Sequence, residues 1–241
     1  MKGIIEAITT YLKALPLLAK PKYFKYVIYS GLLSVVFYCL ALVLFWFGGD
    51  ALTDLLTNRI GVDWLRGTLD VITNVITFVG LGALLLLIYK HIVLIICGPI
   101  IGKLSEAIEK NEGNNLTTTD QLGTAYSTYR GIRIVLRNLL RELVITGLLL
   151  LLTFTPLAFV SVPLIFIVQA YYAGFGNLDI YLGRHIKFKE TITYVKANRL
   201  FTTTNGTVFL LLLLIPILGA FLAPAWSAAA ATLSLMDKEV V

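Results

Sequence analysis

Arg130, Arg133, Arg137 and Arg141 stand at steps of three, four and four residues. On an α-helix those steps line four guanidinium groups along one stripe. Ile132, Val135, Leu136, Leu139, Leu140 and Leu143 cover the opposite side. A row of guanidinium groups holds anions, through charge-assisted hydrogen bonds to phosphate or another oxyanion. Attraction to an anionic lipid surface, about 1 kcal/mol per residue, is the simpler use of the stripe, and substrate binding is the other. Nothing else in the chain suggests bond-breaking chemistry. It contains no phosphate loop, no His-x-x-x-His pair and no nucleophile elbow. The expectation is therefore no enzyme, no catalytic residue, no metal and no cofactor. His91 and His185 each neighbour basic residues at the edge of an apolar run, and read as side chains snorkelling to a membrane interface. Cys39 and Cys97 lie inside apolar runs and suggest neither a disulfide framework nor a metal site.

Composition sets the solvent in which such a stripe must work. Of 241 residues, 58% are hydrophobic and 14% charged, with a mean hydropathy of +0.84. A soluble domain is about 45–50% apolar and about 25% charged, so a water-facing surface cannot be built from this chain. The 19 Gly and 7 Pro show no period, which excludes a fibrous chain. The class is a polytopic all-α membrane protein, read as one membrane domain over 1–241. In that setting the net charge of +6 points to cytoplasmic loops obeying the positive-inside rule, and not to nucleic acid.

The elements follow from charge-free length. Within 1–20, Ile4, Ile5, Ile8, Leu12, Leu15 and Leu18 recur at helical steps, while Lys2, Glu6, Lys13 and Lys20 forbid a span. The segment reads as an interfacial amphipathic helix; it has neither a clean apolar core nor an Ala-x-Ala site, so cleavage is not expected. Positions 26–49 carry no charge and are long enough for about 30 Å of hydrocarbon. This span ends on the aromatic belt Phe45-Trp46-Phe47. A polar connector with its own short helix is expected over 50–70. A second span with an extension occupies 71–102, and 103–142 forms a hydrophilic cytoplasmic helical segment, with a cap expected at 117–120. The sequons at Asn115 and Asn205 read as chance.

Two further uncharged stretches, 143–178 and 200–236, are too long for one helix and tight for two spans and a turn. Each carries two prolines near its middle, Pro156 and Pro163, then Pro216 and Pro224. Proline removes a backbone donor and ends helices. Neither Pro-bounded turn carries a charge, as a turn emerging into water usually would. Each stretch is expected to form a helical hairpin that dips into the bilayer and returns; two ordinary spanning hairpins with apolar turns remain the alternative. Such interrupted helices beside basic residues are a familiar anion site, because a helix N-terminus offers free N–H groups and a positive dipole end. Lys and Arg crowd 1–25, 90–142 and 179–199, whereas 50–70 holds only Arg59 and Arg66 against Asp50, Asp54, Asp63 and Asp70. The connector should face outward and both termini the cytoplasm. No charge is expected inside the apolar runs, which favours passive flow over coupled transport.

Several stretches resemble the CysZ-like sulfate permeases and the related etoposide-induced proteins. CGPIIGKLSEAIE resembles that family's Pro-x(6)-Glu-x-x-Glu signature, with Pro99, Glu106 and Glu109 in register. LDIYLGRHIKFKE resembles its connector, through Asp179, Phe188, Lys189 and Glu190. The spacing from Glu190 through Gly206 to Pro216 is similar, and IPILGAFLAPAWSAAAAT resembles the closing hairpin with Pro216 and Pro224. The resemblance implies two long transmembrane helices, two partly inserted hairpins, a homo-oligomer in the bacterial inner membrane, and sulfate conduction for assimilation into cysteine. It also implies a sulfate site just before the first span. There the family's Gly-hydrophobic-Arg-Arg element corresponds to Lys22-Tyr23-Phe24-Lys25, with Lys22 in place of the glycine, Phe24 in place of the first arginine and Lys25 in place of the second. Lys22 and Lys25 are the implied substrate ligands, acting as point charges rather than planar forks. A non-transporting scaffold or lipid-organising protein is the rival reading, with an accessory subunit of another transporter behind it.

Overall fold

The computed structural model of the chain describes residues 2–59, 66–113, 124–152, 158–215 and 217–238. The elements are α1 (Lys2–Leu18), α2 (Pro21–Arg59), α3 (Arg66–Glu112), α4 (Thr124–Leu152), α5 (Ala158–His185), α6 (Phe188–Ala197), α7 (Arg199–Leu213) and α8 (Leu218–Met236), with no strand among the described residues. The all-α expectation holds. Among the described residues, four stretches are long and apolar enough to cross a membrane: Pro21–Leu44, Leu85–Glu112, Phe159–His185 and Leu218–Met236.

Helices α2 and α3 form an antiparallel pair. Pro21 opens α2 at its first position, where the missing N–H costs nothing. Contacts then descend one helix as they climb the other: Lys22 meets Glu112 at 3.3 Å, Cys97 approaches the Ser30 carbonyl, and the Ser34 and Tyr89 hydroxyls lie 2.7 Å apart. Among the described residues of 50–70 there is no separate short helix: α2 runs unbroken to Arg59 and α3 begins at Arg66, so those polar residues extend the two long helices, and 60–65 lie outside the described residues. Trp46 and Phe47 are exposed, as an aromatic belt requires.

The apolar stripe of α1 faces outward from Ile4 to Leu15, with Ile4, Ile5, Ile8, Leu12 and Leu15 exposed, but its last member, Leu18, is buried with Ala7, Tyr11, Ala14 and Leu17. The helix is anchored through Tyr11, whose hydroxyl donates to the Asn205 carbonyl (3.1 Å) and whose carbonyl accepts from the Trp226 indole (2.7 Å). The exposed face carries large apolar side chains, the reverse of a water-soluble helix and the arrangement an interfacial helix needs.

Both hairpins form, as α4–α5 and α7–α8. Pro156, Pro216, Asn115 and the cap expected at 117–120 lie outside the described residues. Pro163 and Pro224, expected to bound the turns, lie inside α5 and α8. Each proline leaves one carbonyl of the preceding turn without its helical partner, which bends a helix without ending it where flanking packing is good. Helix α7 rises only about 22 Å, short of the roughly 30 Å hydrocarbon core, whereas its partner α8 qualifies as a span. The turn between them forces Ile217 to φ 59 and ψ −61, close to the strained γ-turn conformation.

The helices close on one another through small residues. A Cβ on Gly174 would lie 1.8 Å from the Thr202 carbonyl oxygen, and one on Gly206 would lie 1.8 Å from that of Ala170. Helices α5 and α7 therefore touch backbone to backbone, as membrane helices do where small residues face each other. Asn177 and Asn205 bridge the same contact at 3.0 Å. Helix α8 is the most enclosed of the apolar helices: Ala223, Ala225 and Ala228 through Ala231 are fully buried.

Candidate functional site

The arginine stripe does not survive folding as one surface. Arg130 is buried, Arg137 is half-buried, and Arg133 and Arg141 are exposed. Arg130 and Arg141 return to within about 20° of each other round the helix, so what separates them is what packs opposite each turn along the length of α4. Arg130 turns into the bundle, where Nη1 donates to Asp179 Oδ1 (3.0 Å) and Nη2 to Thr191 Oγ1. Arg133 lies over the Phe188 ring at 4.8 Å. Arg137 lies 5.9 Å from the Phe175 ring centre and donates to Asn138 Oδ1 (2.9 Å). Loss of solvent first, and the neighbouring Arg141 charge second, lower the proton affinity of Arg137.

Arg130 opens onto a cleft of about 340 Å³ between α3, α4 and α5, whose polar wall is Lys103, Glu106, Arg130, Asp179 and Arg184. Arg184 is held by Glu109, Nη1 to Oε2 at 2.8 Å, and by Ser105 Oγ at 2.7 Å. Ser105 in turn meets Thr232 on α8 at 2.7 Å, and His185 reaches the other Glu109 oxygen at 2.9 Å. The Nε atoms of both Arg130 and Arg184 are buried without a hydrogen-bond partner among the described residues. Glycines make the space: a Cβ on Gly183 would stand 2.6 Å from Arg130 Nη1, and one on Gly176 would stand 2.4 Å from Leu94. Pro99 lines the same wall and has no N–H to give the Ile95 carbonyl. Guanidinium donors already positioned by carboxylates, with spare N–H groups beside a glycine-lined opening, can accept an oxyanion with little reorganisation.

Lys22 and Lys25 go to different neighbours. Lys22 shares Glu112 with Lys20, at 3.3 and 3.1 Å, so one carboxylate serves two ammonium groups. Lys25 lies 5.0 Å from the Tyr26 ring centre and lines a groove of about 770 Å³ between α2 and α3 with Lys103 and Pro99. Lys103 and Pro99 border both the groove and the cleft. The structure thus connects Lys25, through Lys103, to Arg130 and Arg184, and ties Lys22 to an acid.

The residues that carried the family resemblance have identifiable work. Glu109 clamps Arg184 and His185, Glu106 and Pro99 line the cleft, and Asp179 holds Arg130. The Glu190 carboxylate accepts from the Lys187 amide (2.9 Å), capping α6.

The expectation of no charge within the bundle is overturned. Lys90 and Glu142 are both fully buried and paired with each other, and Lys90 Nζ also donates to the Gln169 carbonyl (2.9 Å). His91, expected at an interface, is buried beside them, its Nε2 3.7 Å from Glu142 Oε2. His185 likewise points at Glu109 instead of outward. Lys90 and Glu142 each border an apolar run in the sequence, and only the packing of α3 against α4 brings them together. The missed signal was Lys90-His91 itself, two ionisable residues with apolar sequence on both sides. Cys39 is exposed and Cys97 buried, both without a disulfide.

A family model described as sulfate transporter CysZ/etoposide-induced protein 2.4 matches residues 10–224. No curated protein matches the chain. The chain belongs to that family, and with four helices fit to cross a bilayer it is an all-α membrane protein.

Proposed function

We propose that this member of the family is an oxyanion permease of a bacterial inner membrane, with sulfate, destined for cysteine synthesis, as its substrate. The observation that carries the reading is the cleft between α3, α4 and α5. Lys103, Arg130 and Arg184 line it, and the Nε atoms of the two arginines are buried without a partner among the described residues. A dianion with hydrogen-bond acceptors all round is the ligand class such a cationic wall fits. Lys25 and Lys103 lead toward the cleft along the α2–α3 groove, with Lys22 outside it. The hairpins enter and return on the cytoplasmic side, where both termini lie, and the exposed apolar face of α2, including Leu32, Val36 and Leu40, joins copies of the chain into an oligomer. The work is transport, not catalysis, and needs no cofactor or metal.

Radiolabelled sulfate uptake into proteoliposomes holding only this protein is the test. Uptake above empty liposomes, reduced by Arg184→Gln and by Lys22→Ala/Lys25→Ala, is expected. Thiosulfate competition then ranks the oxyanions. No uptake by correctly inserted protein would favour the lipid-organising scaffold, a reading the outward apolar face of α1 and the exposed Arg133 and Arg141 support.

A further inference from the structure

A second cavity, of about 410 Å³, begins near the point on α3 and α5 where the cleft ends. Along α3 the second cavity takes Leu86 and Tyr89, and the cleft takes over at Leu94; along α5 the second cavity ends at Gln169 and the cleft starts at Gly176. Lys90 stands in that gap. Its Nζ donates both to Glu142 and to the carbonyl of Gln169, a residue of the second cavity's wall. One of Glu142's two oxygens, Oε2, has no hydrogen-bond donor among the described residues; His91 Nε2, at 3.7 Å, is beyond bonding reach. One α4 turn further on, the buried Thr146 hydroxyl also lacks a partner among the described residues.

A buried ion pair is a poor device for stability alone, since apolar residues of similar volume serve as well or better. A pair with a half-satisfied carboxylate is poorer still. Its position between two cavities gives it another use. We infer that Lys90 is an anion-binding step between the cleft and the second cavity, and that Glu142 is the resident counter-ion an arriving oxyanion displaces. This rests on the oxyanion-permease reading and adds a ligand that the family match does not indicate. An ammonium group suits the role: it is a compact point charge with donors that reorient, and a conducting site must bind weakly enough to release. With no anion present, Glu142 closes the position.

The test uses the full chain in proteoliposomes and three forms: wild type, the neutral pair Lys90→Met/Glu142→Leu, and Glu142→Gln. Folding is followed by gel filtration and thermal unfolding in detergent. The neutral pair should elute and unfold like wild type, yet lose sulfate uptake by at least ~10-fold. Glu142→Gln removes the competitor and should lower the half-saturating sulfate concentration at least ~3-fold. Wild-type uptake by a folded neutral pair would overturn the inference while leaving the permease reading intact. If the neutral pair fails to fold, an unchanged or higher half-saturation in Glu142→Gln overturns it instead. A wild type that takes up neither sulfate, thiosulfate nor chloride would overturn both.

Discussion

Replacing Gly206 by Ala should cost more stability than any other single methyl group added to this bundle's glycines in α5 or α7. The new Cβ would lie 1.8 Å from the Ala170 carbonyl oxygen and 2.5 Å from the Gly174 nitrogen. Both are backbone atoms, so no rotamer change relieves the clash. Reaching even the 3.0 Å that real Cβ contacts essentially never undercut requires α5 and α7 to part by about 1.2 Å. Overpacking of this kind costs about 1–3 kcal/mol, and the upper end applies because the Asn177–Asn205 bridge and the Gly174–Thr202 contact open with it. At about 2–4 °C per kcal/mol for a chain of this size, the melting point should fall by about 6–12 °C. The matched control is Gly147→Ala. Gly147 is exposed on α4 with nothing within 4 Å of a Cβ, so the same methyl should raise stability by about 0.5–1 kcal/mol through backbone entropy. Tryptophan fluorescence during heating in detergent, with gel filtration to check dispersity, reads both. A Gly206→Ala protein melting within about 1 °C of wild type would refute the backbone-to-backbone packing of α5 on α7.

Ile217→Gly should raise stability by about 1 kcal/mol, because it relieves a positive-φ conformation that β-branched residues resist at an exposed site; a lower melting point would argue that the turn is held by the side chain. Arg130→Met leaves Asp179 buried without its cation and should cost about 3–5 kcal/mol, whereas Arg130→Met/Asp179→Leu should recover most of it; equal losses in chemical denaturation would mean the pair is not coupled as its 3.0 Å contact implies. Arg133→Gln/Arg141→Gln should leave the melting point unchanged. Preference for anionic over neutral lipid should fall by about 1 kcal/mol per arginine, measured by native mass spectrometry of lipid-bound protein, and an undiminished preference would remove these arginines from the lipid contact.

Class and hairpin pairing were determined by the sequence alone, because they depend on quantities summed along the chain, whereas α6 and the continuation of α2 to Arg59 went unread. The lack of charge over 26–49, 143–178 and 200–236 dictates where helices enter an apolar solvent, and the acidic residues of 50–70 mark a polar tip, whatever the helices do next. The outward stripe of α1 was legible for the same reason, since a 3.6-residue period is local. Where local rules were applied to break points they overreached: Pro163 and Pro224 mark the neighbourhood of each turn, but flanking packing carries the helix through them. What joins residues far apart was invisible. Lys90 and Glu142 border different apolar runs, and Arg130 and Asp179 lie in separate segments; only the close approach of α3, α4 and α5, permitted by Gly176 and Gly183, makes them pairs. The arginine stripe shows the boundary between the two kinds of knowledge. Spacing places four guanidinium groups near one face of α4, but tertiary packing decides that Arg130 becomes the wall of a cleft while Arg133 and Arg141 remain outside, because burial is set by what lies opposite a side chain and not by where it stands in its own helix.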